Sequence, residues 1–240
     1  MPTESRTRRY SRFIAGESID LCVPSETAIV DGWADWFNDP TVTRNLDQGV
    51  FPNTEADQRA FLASLSSKER LALLITDPAG QKLWGIVSLS TIDWIHRSAQ
   101  IAIVLPNTPR KAPLAALEAI ALTVRHGMDV LRLDRIWCVQ AYPFSDKFAH
   151  RMTLLGFRAE GVDRSAKHGA DVLRSAVMRS KYAEICAERE YWPGASQMRA
   201  KVRALPKISL AARVAAAVER ERIAYERELA GPRLVHENAD

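Results

Sequence analysis

Cysteine is scarce in this chain and poorly placed for cross-linking. Cys22, Cys138 and Cys186 are odd in number, widely separated and each set in apolar sequence. That excludes a disulfide framework and offers no zinc-ligand spacing, so a reducing cytoplasm and no bound metal are expected. Long apolar runs are also missing. The longest, Ala112 to Val124, is interrupted by Glu118 and followed by Arg125 and His126, far short of the roughly 20 apolar residues of a membrane span. Met1 to Arg12 is polar and carries Arg6, Arg8, Arg9 and Arg12, so neither export nor a membrane partner is expected. Charge of one sign does not dominate either: 33 Lys and Arg face 29 Asp and Glu, a net charge of +4. The surface attracts polyanions mildly. Basic and acidic residues are interleaved, however, and no compact basic patch with stacking aromatics is visible, which argues against a dedicated nucleic-acid surface.

What is present is an ordinary globular composition. With 240 residues and 47% hydrophobic content, the chain can bury a full core, and one main domain with appendages is expected. Residues 1–16 lack periodicity and read as a flexible basic arm, mobile or draped over the domain. Ser18 to Val23 reads as a strand closed by Pro24. Ser25 then caps a helix with Ile29, Val30, Trp33, Trp36 and Phe37 at helical spacing, ended by Asn38-Asp39-Pro40. Thr54 with Asp57 three residues on is a capping-box start for a second helix burying Phe61, Leu62 and Leu65.

The period then changes. Leu71 to Thr76 and Leu83 to Ser90 are β-rich runs separated by the turn Asp77-Pro78-Ala79-Gly80, and Ala99 to Leu105 follows as a third antiparallel strand. Pro106, Pro109 and Pro113 stiffen a loop before a helix over Leu114 to Leu131. A strand over Arg135 to Ala141, a helix over Ser145 to Leu155 stopped by Gly156, and strands over Phe157 to Asp163 and Asp171 to Arg179 complete a mixed α/β domain over 17–182. Residues 183–240 read as a helical extension. Helix over Ala183 to Glu190 is broken by Trp192-Pro193-Gly194, and a second helix, Ile208 to Ala230, is packed by one narrow face. It could serve as a dimerisation or covering element.

The sequence from Gly85 to Leu105, Gly-Ile-Val-Ser-Leu-Ser-Thr-Ile-Asp-Trp-Ile-His-Arg-Ser-Ala-Gln-Ile-Ala-Ile-Val-Leu, resembles the β-hairpin of RimJ/RimL-type N-acetyltransferases of the GNAT superfamily. Leu131-Arg-Leu-Asp-Arg-Ile136 is similar to the start of their fifth strand. Ser145 to Phe157, ending Leu-Gly-Phe, with Glu160-Gly161 after it, is similar to their late helix. The likeness spans roughly Ser18 to Tyr182. It implies the GNAT fold, a mostly antiparallel sheet flanked by helices. It also implies that the strand from Gln100 parts from its neighbour near Ile103, so that main-chain groups of Ile101, Ile103 and Leu105 face the pantetheine arm of acetyl-CoA or another acyl-CoA. The pyrophosphate would then meet Arg110, Lys111, Ala112, Leu114 and Ala116 at a helix N-terminus.

Several positions depart from the resembled pattern. Leu114 stands where the first glycine of the phosphate loop is expected, and Pro113 has no N–H. Ser145 replaces a frequent Asn, yet remains a candidate both for cofactor binding and for catalysis. Met152 stands in place of a Tyr that protonates the leaving thiolate, and methionine cannot donate a proton. Gln100 replaces a Glu near the amine; it can orient water but cannot act as a base at neutral pH. Asp93 and His96 are the nearest titratable replacements. Trp33, Asn38 and Asp39, with Trp94 from the hairpin, are the candidate acceptor-binding residues.

The implied activity is N-acyl transfer from a CoA thioester to a primary amine of a small molecule, an amino sugar or a protein N-terminus. Two alternatives remain. One is a donor on an acyl-carrier protein or aminoacyl-tRNA, suited to the basic segments Arg6 to Arg12 and Arg199 to Arg203. The other is a catalytically impaired binding protein of the same fold, docking through its C-terminal helices.

Overall fold

The computed structural model describes residues 8–44, 46, 49–106, 110–142, 146–167, 169–189 and 194–230. Ser145, the turn residue His168, the breaker Trp192-Pro193, Gly231-Pro232 and the start of the arm with Arg6 lie outside the described residues. So does Pro109.

Apolar, β-rich runs buried on both faces build the middle of the sheet. Strands β1 (Arg12–Ala15), β2 (Asp20–Cys22), β3 (Leu71–Thr76), β4 (Leu83–Asp93), β5 (Ser98–Val104), β6 (Arg135–Ala141), β7 (Arg158–Lys167) and β8 (Ala170–Met178) form one eight-stranded sheet in the order β1-β2-β3-β4-β5-β6-β8-β7. All neighbours are antiparallel except β5 and β6. One face presents Leu73, Ile75, Val87, Leu89, Ile101 and Ile136 to Leu117, Ile120, Val124 and Met128 of helix α4 (Ala115–Asp129). These α4 residues recur every three or four positions, one face of a helix, and each fully buried Leu or Ile contributes roughly 1.5–3 kcal/mol. The opposite face sets Ala72, Leu74 and Ile86 against Ile29 and Trp33.

That second face is covered by α1 (Glu26–Ala28), the turns that follow it and α3 (Glu55–Ser64), with α2 (Pro40–Thr43), which buries none of its residues, between them in sequence. The continuous first helix expected from apolar spacing is broken. A π turn at Ile29–Trp33 and a 3₁₀ turn at Ala34–Phe37 follow α1, and Gly32 takes φ 89°. The spacing survives in part: the π turn buries Ile29 and Trp33, the 3₁₀ turn half-buries Trp36 and Phe37, and Val30 is exposed. α3 starts as expected: Thr54 and Asp57 form the reciprocal capping box.

The arm is partly sheet. β1 pairs with β2, Tyr10 is buried, and Arg8 reaches the buried Asp20 carboxylate at 2.7 Å. Downstream come α5 (Asp146–Met152), a 3₁₀ turn to Leu155 stopped by left-handed Gly156, α6 (Arg179–Arg189), α7 (Ala195–Ala204) and α8 (Leu210–Ala230). α7 has no counterpart in the sequence expectation; its Met198 completes the α4 core. α8 packs Leu210, Ala211 and Val214 on the outer end of the sheet and leaves Val218, Tyr225 and Leu229 exposed. Among the described residues no helix is long and apolar enough to cross a membrane.

Candidate active site

The sheet opens at one place. β5 pairs with β4 from Ser98 opposite Asp93 to Val104 opposite Ile86. Against β6 it pairs only as Ser98 with Arg135, Ala99 with Ile136 and Gln100 with Trp137. Beyond Gln100 the two strands part, and Ile101 to Val104 have no ladder partner on that side among the described residues. The closed end is pinned electrostatically. Asp134 ion-pairs with Arg97 and, at 2.9 Å, with Arg179, while its N–H donates to the Arg97 carbonyl at 2.7 Å. Arg179, then Arg97, hold the Asp134 carboxyl below the usual carboxylate range.

A cavity of about 360 Å³ occupies the parting. Its walls mix Ser88, Ser90, Gln100 and Gln140 with Ile101, Ile103, Val139, Phe148 and Met152. Gln140 is 9% exposed, and its Oε1 has no hydrogen-bond partner among the described residues. Cys138 also lines this space; burial pushes its thiol up to about 11, so it stays protonated and is neither thiolate nor base at neutral pH. An adjoining cavity of about 210 Å³ shares Arg70, Ser88, Ala102 and Ile103 with the first, and extends to Trp33, Phe37, Asn53, Gln58 and Phe61 under the α1–α3 cover. Among the described residues no group of His, Cys, Asp and Glu could hold a metal ion.

Of the residues singled out from sequence, Gln100, Ile101 and Ile103 line the inner cavity and Trp33 the outer one. Leu105 lies beside Gly85, outside both linings, where any added Cβ would meet the Val104 carbonyl at 2.3 Å. Glycine is required there because another strand's backbone crosses it. Arg110 and Lys111 are exposed, Ala112 and Leu114 buried, and Ala116 half-buried at the start of α4, whose cap residue Leu114 supplies no side-chain hydrogen bond.

The hairpin-tip residues stay apart from the cavities. Asp93 accepts from the N–H groups of Ile95 and His96 and meets His96 Nδ1 at 2.7 Å, and Trp94 is 49% exposed. None of the three is among the lining residues. The reason is local: a carboxylate two or three residues before free N–H groups closes the turn on itself. Asp39 caps α2 by accepting from Thr41, and Asn38 holds Asn53 through two 2.7 Å hydrogen bonds; both act beside the outer cavity rather than in it. Sequence reasoning passed over Arg70, Ser88, Ser90 and Gln140. A signal existed for the serines: within an apolar strand, alternation places Ser88, Ser90 and, across the ladder, Gln100 on one face.

No family model matches this sequence, and no curated protein does. Solved structures do match. The crystal structure of spermidine N-acetyltransferase from Vibrio cholerae in complex with CoA and spermine is similar over 69% of this chain and 98% of its own, with a TM-score of 0.62 and 19% identity. The microcin C7 self immunity acetyltransferase MccE in complex with acetyl-CoA and AMP is similar over 70% of this chain and 98% of its own, with a TM-score of 0.58 and 19% identity. At that identity the likeness defines the architecture. The chain has the mixed α/β fold of GNAT acetyltransferases, with its antiparallel-dominated sheet between helices.

Proposed function

We propose that this chain is an N-acyltransferase of the RimJ/RimL-type branch that moves an acyl group from a CoA thioester, acetyl-CoA first among them, to a primary amine of a small molecule. The parting of β5 from β6 carries this reading.

The residues present suit such a co-substrate. Unpaired main-chain groups along Ile101 to Val104 can bind the amides of a pantetheine arm as an added strand would. Gln140 Oε1 lacks a donor, which an amide N–H supplies. Ile103, Phe148 and Met152 offer apolar wall to methylene and sulfur. Arg110, Lys111 and the N-terminus of α4 take the diphosphate, with direct charge compensating for Pro113 and Leu114. When bound, the thioester supplies an activated carbonyl and a thiolate that leaves readily.

The chain's own contribution is positioning. Gln100, the last paired residue before the parting, hydrogen-bonds the incoming amine or a water that takes its proton. Met152 donates nothing. Ser145, outside the described residues, remains a candidate for cofactor binding and catalysis by resemblance alone. Asp93, His96 and Trp94 are left out of the proposal because they line neither cavity. Titration calorimetry with acetyl-CoA tests the reading: micromolar binding is expected, and no heat at millimolar acetyl-CoA would overturn it.

A further inference from the structure

Arg70 is the only formally charged side chain among the described residues lining the inner cavity, and it lines the outer one as well. We propose that Arg70 selects the acceptor: the amine taken by this site carries an oxyanion group, carboxylate or phosphate, which the Arg70 guanidinium binds. This rests on the reading of the chain as an N-acyltransferase and adds the substrate class to it.

The Arg70 side chain is exposed and rests against an aromatic ring. Its Cζ stands 5.2 Å from the centroid of the Phe61 ring, and Phe61 in turn packs edge-on against the buried Trp33, with centroids 5.6 Å apart. The planar fork of guanidinium N–H donors suits two oxygens of one oxyanion. The backbone is fixed as well, because Arg70 immediately precedes β3, whose first residue Leu71 pairs with Leu89. No carboxylate among the described residues forms an ion pair with Arg70. Asp57, the acidic residue among the described lining residues of the outer cavity, is committed to its helix cap, accepting from Thr54 N–H at 2.8 Å and Thr54 Oγ1 at 2.6 Å.

Charge and size then narrow the acceptor. A polycation would meet Arg70 with no carboxylate among the described lining residues of the inner cavity to offset it, whereas an amine with an acidic group places opposite charge on the guanidinium. Its amino group then lies toward Gln100 and the strand fork, which share the same cavity. Cavities of about 360 and 210 Å³ accommodate a metabolite-sized molecule rather than a folded partner.

The test compares ethanolamine, serine, O-phosphoethanolamine, glucosamine, glucosamine 6-phosphate and spermidine. Direct binding to the full chain is read by calorimetry with and without acetyl-CoA, and turnover by thiol release. Serine and the two phosphorylated amines separate the carboxylate from the phosphate source. At least one oxyanion-bearing amine is expected to bind roughly 10- to 100-fold tighter than its uncharged-headed counterpart, the scale of a charge-assisted bidentate contact. Arg70→Ala should bring that ratio toward one by raising KM for the acidic acceptor with little change in kcat, and Arg70→Lys should restore part of it. A melting temperature for each variant separates misfolding from lost recognition. Spermidine binding tighter than every oxyanion-bearing amine, no binding of any of them at millimolar concentration, or an unchanged ratio in Arg70→Ala would overturn the inference. Acetyl-CoA binding with no oxyanion preference would sink this inference alone. Loss of acetyl-CoA binding would sink the enzyme reading, while the amine titrations without it still decide the role of Arg70.

Discussion

Two seams flank β5, and they differ in how they are closed. The seam with β4 is a hairpin, antiparallel from the turn at Asp93 and Ser98 out to Ile86 and Val104. The seam with β6 is parallel, joined through the long crossover containing α4, and it closes only as far as Gln100 and Trp137. A hairpin's short turn fixes register along both strands, whereas a crossover constrains only the end where the strands are pinned. Here the pin is Asp134 between Arg97 and Arg179. The sheet is therefore firm where it needs only to fold and open where it can bind, and the difference can be tested from either side.

Filling the open seam should have the largest effect. Val139→Trp places an indole in the inner cavity, where Val139 is half-buried. Acetyl-CoA affinity by calorimetry is expected to fall roughly 100-fold or more while the unfolding free energy moves by less than about 1 kcal/mol; retained affinity would place the thioester elsewhere. Disturbing the zipped seam comes next. Gly85→Ala drives a methyl group against the Val104 carbonyl, so the end of β5 must shift. Urea unfolding should show a loss of about 1–3 kcal/mol, together with weaker acetyl-CoA binding as β5 is pushed toward β6.

Loosening the pin should act more mildly and through pH. The Asp134 carboxyl sits below its ordinary range because of Arg179 and then Arg97. Its folded pKa is depressed, so its contribution to stability is present above the unfolded-state carboxylate pKa and disappears as pH falls through the lowered folded value. Asp134→Asn should flatten that acid limb of melting temperature against pH and weaken acetyl-CoA binding a few-fold; an unchanged limb would show that the pin is idle. The smallest effect is expected at the hairpin tip. His96→Ala should leave turnover within about twofold, because His96 lies outside both cavities and surface substitutions of this kind are near neutral. A large loss of turnover there would reinstate His96 as a catalytic group.

Much of the architecture was legible because burial imposes a period. The apolar, β-rich run Leu71 to Thr76, the Thr54–Asp57 cap and the stop at Gly156 each name an element from a local physical requirement, and each stands in the structure. β1 was hidden because its four residues, Arg12 to Ala15, lie mostly exposed at the sheet edge and show no alternation. The break after Ala28 was hidden because π and 3₁₀ turns keep nearly helical spacing. At the site, a parting of strands is a property of main-chain groups, which no side-chain pattern spells out; it came through resemblance. Arg70 reads in sequence as one more basic residue ahead of a strand. Its place depends on Phe61 and Trp33 folding over from a different segment.

The Glu118 carboxylate, 2% exposed, accepts hydrogen bonds from Glu17 N–H, Ser18 N–H and Ser18 Oγ, while Glu17 itself receives the N–H of Ser196 at the start of α7. Segments nearly 180 residues apart in sequence are thereby fastened to the first turn of α4. For anyone preparing the protein, shortening it past Gly16, or ending it before α7, would unfasten the very helix whose leading end is proposed to meet the diphosphate. Affinity tags are better added beyond Ala230 or ahead of Arg8 than substituted for either clasp.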